Sequence, residues 1–113
     1  MFENPARPAG PSTSALTMPV VVLIGTLDTK GEEYAFVQRV IEERGCTVLV
    51  VDVGIFPAPD CRAEIGSDKI VAASGVDLRS LRTENDRGRA IEVMACGAAE
   101  TVCELYQAGR LDA

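Results

Sequence analysis

From Val20 to Ile24 the chain is apolar without a break, and the pattern returns from Thr47 to Val53, where Asp52 is the one charged member. Apolar runs that do not alternate suit parallel strands covered on both faces, so strands are predicted over residues 19–24 and 47–53. Between them Tyr34, Val37, Val40 and Ile41 recur at helical spacing, with Phe36 beside them. This predicts an amphipathic helix over 32–44, closed by Gly45 as its left-handed residue, with Tyr34 and Phe36 in the core. Residues 54–66 hold Pro57 and Pro59 and no period. A loop of that length is expected to be functional, here as a cover over the strand ends. Ser67 is placed to cap a short helix over 68–74 that ends at Gly75, and Asp77 to cap a brief turn through Arg82. Residues 84–108 then put Ile91, Met94, Ala95, Ala98, Val102, Leu105 and Tyr106 on one face, predicting a long helix packed on a sheet. Gly97 inside it costs about 1 kcal/mol relative to alanine, and the alanines around it point to close approach of a neighbour.

Strands alternating with helices define an α/β class, and the expected architecture is a Rossmann-like three-layer sandwich with parallel strands. A third strand is expected to begin at 109–113, so the chain reads as a domain truncated before that strand, completed by the remainder of a longer protein or by a self-associating copy. Residues 1–18, with Pro5, Pro8, Gly10 and Pro11, read as a disordered leader.

Composition narrows the chemistry. At 113 residues the chain is at most one domain. It has no histidine, which removes the commonest general acid/base and transition-metal ligand. A net charge of -6 and a pI near 4.6 argue against nucleic acid as a partner. No apolar run is long enough for a membrane span and no signal-like start is present, so a cytoplasmic protein is expected. Cys46, Cys61, Cys96 and Cys103 form no C-x-x-C pair, and buried free thiols rather than zinc ligands are expected.

The segment Gly25-Thr26-Leu27-Asp28-Thr29-Lys30-Gly31 joins the first strand to the first helix. Two glycines around polar side chains give the backbone freedom and free N–H groups that favour an anion at a helix N-terminus. Thr29 and Glu32 also stand in the spacing of a capping box, which alone would account for Thr29. Lys30 in a first turn opposes the helix dipole and is either an anion ligand or a solvated side chain. The lysine precedes the second glycine, so the segment is not a Walker A loop, and G-x-G-x-x-G is absent. Asp52, at the end of the second strand, is placed either to hold ribose hydroxyls or to cap the turn at Gly54. Arg87 and Arg89 either share an anionic ligand with Lys30 or, for Arg87, pair with Glu84 or Asp86.

Val22 to Glu33, Val51 to Gly54 and Asp86 to Met94 together resemble the ATP-binding domain family typified by the tomato mosaic virus resistance protein, over about residues 20–112. The G-T-x-D-T-K-G-E-E string is the specific part. The plant member of that family is known as an inhibitor of viral RNA replication whose N-terminal domain binds ATP. The resemblance implies a nucleotide site, with ATP and with or without Mg2+, at Gly25, Thr26, Asp28, Thr29, Lys30 and Gly31, extended to Asp52, Gly54, Arg87 and Gly88. It also implies a third strand and a glycine-rich turn after Asp112. Three functions stay open: an ATP-binding module, an enzyme of nucleotide or acyl-phosphate chemistry with Asp28 as Mg2+ ligand or base, and a non-catalytic interaction domain.

Overall fold

A computed structural model describes residues 18–113, so the expected leader falls, Met18 apart, outside the described residues. Strand β1 (Val20–Gly25) leads into helix α1 (Leu27–Glu43), strand β2 (Thr47–Asp52), and helices α2 (Ser67–Ala73), α3 (Leu78–Glu84) and α4 (Arg87–Gln107). The strands pair in parallel, Val20 opposite Thr47 through Gly25 opposite Asp52. The fold is α/β, compatible with a truncated Rossmann-like architecture.

Alternation along the strands explains why both are apolar throughout. Val48 and Val50 of β2 and Leu23 of β1 pack with Leu27, Tyr34, Ala35 and Ile41 on the α1 side. Val51 and Val22 face the other way, against Ile70, Val71, Leu81 and Met94 of the remaining helices. Each sheet face is therefore covered by helix, as parallel strands require.

α1 begins at Leu27 rather than residue 32, with Thr26 as its N-cap and non-helical angles at Lys30 (φ -124°, ψ 24°). A first turn whose one apolar member is the buried Leu27 precedes the kink, and the amphipathic helix follows it. The capping box does not form: the Thr29 hydroxyl instead contacts the Thr26 hydroxyl at 2.9 Å and the Thr26 carbonyl at 3.2 Å. Gly66, not Ser67, is the N-cap of α2. Gly45 and Gly75 take the left-handed conformations expected after the helices they close, at φ +86° and +74°.

The final helix starts three residues later than expected, because Asn85 ends α3 in the left-handed region (φ 54°) and Asp86 caps α4, accepting from Arg89 N–H. Its buried stripe runs through Ala90, Met94, Gly97 and Leu105, while Ile91, Ala95 and Tyr106 are exposed. Gly97 sets that rotation: a Cβ there would collide with the Ile70 carbonyl, so α2 and α4 are in backbone contact. Phe36 is also exposed rather than core, with Arg39 over its ring. All four cysteines are free thiols, yet only Cys61 is buried, and Cys96 and Cys103 are exposed.

Candidate functional site

At the carboxyl ends of both strands the backbone opens into a cleft of about 460 Å³, within the size range of small-molecule sites. Thr26, Asp28 and Thr29 form one wall, Gly54 to Phe56 a second, and Arg82, Asn85 to Arg87 and Ile91 a third. The position is the one that open α/β sheets use for ligands.

Asp52 organises the turns at the two strand ends. One carboxylate oxygen accepts from Leu27 N–H at 3.2 Å and from Gly54 N–H at 2.9 Å, tying the turns after both strands together. Of the two roles open to it, capping is therefore the one seen. Its side chain is buried and does not line the cleft. Burial pushes its carboxyl above the usual range; the Gly54 and Leu27 N–H groups pull it back, and the charge of Asp28 raises it further.

Asp28 reaches across to the second wall. Its Oδ2 accepts from Phe56 N–H at 3.3 Å. Its Oδ1 is packed against Gly54, where a Cβ would collide with it, and is buried with no hydrogen-bond partner among the described residues. From the third wall Arg82 donates through Nε to the Ile55 carbonyl. The peptide group joining Ile55 and Phe56 is thus held at both ends, by α1 and by α3.

Arg87 opens α4 on the rim. Arg89, rather than Arg87, pairs with Glu84 (2.9 Å), which leaves Arg87 without an ion-pair partner among the described residues. Asp86 takes the N–H of Arg89 with its side chain and that of Ala90 with its carbonyl. The first-turn N–H groups of Arg87 and Gly88 have no intrahelical acceptor.

The cleft therefore brings together Thr26, Asp28, Thr29, Gly54 and Arg87 from the expected set, and not Gly25, Lys30, Gly31, Asp52 or Gly88. Gly25 makes room for the Tyr34 ring, and Gly31 for the loop at Asp60. Lys30 is exposed at the kink, outside the cleft lining. Only the first three residues of the 54–66 loop border the cleft; Ala58, Cys61 and Ala63 pack on the α1 side and Ile65 bridges to β2. Phe56, Arg82 and Asn85 were not singled out by motif. The one signal for Phe56 is its place just beyond the second strand end.

These features define a Rossmann-like α/β domain with its cleft at the strand ends. Residues 19–113 match the N-terminal domain model of an uncharacterised protein family, UPF0261, and the chain belongs to that family. It is similar to a UPF0261 protein of Clostridium tetani, 38% identical over 85 residues, covering 75% of this chain and 21% of the relative. A UPF0261 protein of Brucella suis is 31% identical over 100 residues, covering 88% and 24%. The chain thus spans about a quarter or less of the length of these curated relatives. No solved structure matches. No helix among the described residues is long and apolar enough to cross a membrane.

Proposed function

We propose that this domain binds a nucleotide, ATP with or without Mg2+, in the cleft at the ends of β1 and β2. The observation that carries the reading is the convergence on one cleft of the Thr26 to Thr29 turn and Arg87 at the start of α4. The free guanidinium and the first-turn N–H groups of α4 suit phosphate oxygens. The resemblance of the Gly25 to Glu33 string to the tomato mosaic virus resistance protein's ATP-binding family supports the same ligand. Asp28 opposes an anion unless a cation intervenes. Its Oδ1 has no hydrogen-bond partner among the described residues, and Thr26 and Thr29 belong to the same wall, so the side chains there are oxygen donors of the kind Mg2+ takes. Bound there, Mg2+ would neutralise phosphate charge. The partner that completes the domain is the remainder of a longer polypeptide or a second copy, in keeping with the small share of its relatives that the chain spans.

Calorimetric titration of the full chain with Mg-ATP tests this. Arg87→Ala should weaken binding about tenfold, the worth of one charge-assisted hydrogen bond. Lys30→Ala, outside the cleft, should stay within about twofold, as for a solvated charge. No heat of binding in the parent chain would reject the nucleotide. A larger loss at Lys30 than at Arg87 would reject this placement of it.

A further inference from the structure

The cleft is lined by side chains of two chemical kinds. Around Asp28 and Arg87 it is polar, whereas Phe56 and Ile91 give it apolar walls although they are 51% and 61% exposed. Solvent-facing apolar side chains are ordinary when scattered singly. These two border the same cleft, and one of them is held in place. The peptide N–H of Phe56 is taken by Asp28 and the carbonyl of that same peptide group by Arg82. A residue whose backbone is clamped by two charged side chains from two helices, and whose ring is left half in water, is placed as a surface for a ligand rather than as filler for a core.

We propose that the space between the Phe56 ring and Ile91 seats the planar base of the nucleotide. The proposal rests on the nucleotide reading above and adds to it: the site selects a nucleotide over a bare polyphosphate or a sugar phosphate. A π-face accepts any heteroaromatic ring by stacking, and an apolar side chain opposite completes the slot. Asp28 joins the two kinds of lining, since it borders the cleft itself and one of its oxygens accepts from the Phe56 N–H. Phosphate occupancy and ring position are thereby linked through one side chain.

The test compares Mg-ATP with Mg-tripolyphosphate, which shares the charge and lacks the base, on the full chain by calorimetry. Phe56→Ala should weaken ATP about tenfold, as loss of base stacking does, and leave tripolyphosphate unchanged. Arg87→Ala should weaken both ligands. The sequence contains no tryptophan, so Phe56→Trp installs a single reporter whose fluorescence should change with ATP and not with tripolyphosphate. That variant keeps the test decisive if Phe56→Ala does not fold. Unchanged ATP affinity in Phe56→Ala, equal losses for both ligands, or a Phe56→Trp signal that responds alike to both would overturn the base slot. If Arg87→Ala still weakened both ligands, the phosphate site would stand without it. Failure of both ligands to bind the parent chain would overturn the slot and the nucleotide reading together.

Discussion

Asp52 and Asp28 stand at the ends of adjacent elements and meet opposite conditions. Asp52 accepts two backbone N–H groups, but its carboxyl is raised because burial outweighs them. The folded chain then binds a proton that the unfolded chain releases more readily. Its contribution to stability is fully present below the ordinary carboxylate value and is lost as pH rises through the raised one. Asp52→Asn retains an acceptor for Leu27 and Gly54 and cannot ionise. It should therefore flatten this acid-range dependence in urea unfolding followed against pH. Asp52→Ala removes the acceptor and should cost about 1 to 3 kcal/mol, the penalty for stranding buried donors. An unchanged pH profile in Asp52→Asn would show that the carboxyl is not perturbed. The sequence placed Asp52 at the strand end and could not choose between its roles, because the choice depends on Leu27 and Gly54 coming within reach of one oxygen. Lys30 illustrates the converse. Its charge and motif made it a natural phosphate ligand, and a backbone kink that no composition rule foresees leaves it outside the cleft lining.

At the scale of elements, the strands were legible because continuous apolar runs are a strong signal, and the helix ends at Gly45 and Gly75 because each requires a left-handed residue. The start of α1 was hidden, since the turn before the kink at Lys30 has one apolar member, Leu27, too few for a helical period to show. The buried face of α4 was displaced for a different reason. Periodicity favoured its large residues, whereas the contact with α2 is fixed by the absence of one, at Gly97. Gly97→Ala therefore sets two effects against each other. Helix propensity alone would gain about 1 kcal/mol. The new methyl meets a backbone carbonyl that cannot rotate away, and overpacking typically costs about 1 to 3 kcal/mol. The contact should win, giving a lower urea midpoint and a net loss on the order of 1 kcal/mol. A higher midpoint would mean that α2 and α4 separate freely, and that the α4 face of the cleft is not held by this contact.

Across the whole molecule, the sheet has two edges and they are treated differently. Beyond β2, Glu64 Oε1 accepts from Val50 N–H, and Ile65 exchanges backbone bonds with Val50 and Asp52, so that edge is covered. Along β1 the register and the bonds from Thr47 to Pro19 and from Val53 to Gly25 turn the odd-numbered peptide groups toward β2. Val20, Val22 and Ile24 therefore present theirs to the opposite side. There Val20 N–H is taken by Asp112 Oδ2 (2.7 Å), Val22 N–H by the Ala113 carbonyl (2.7 Å), and Ala113 N–H returns to the Val20 carbonyl (3.2 Å). This is the exchange of a parallel pair, and it lies where a third strand was expected. The pairing reaches Val22 and does not reach Ile24, whose side chain is also exposed. Native-state hydrogen exchange on the 113-residue chain should accordingly find slow amides at Val21, Val22 and Leu23 and a fast one at Ile24. Exchange at Val22 as fast as at Ile24 would mean that residues 112–113 do not hold the edge in solution. Slow exchange at Ile24 would mean that another strand already covers it, and the molecular mass in the same solution would then tell a second copy from a single chain. The outcome bears on the cleft directly, because Ile24 is followed by Gly25 and then by the Thr26 to Thr29 turn that forms the first wall.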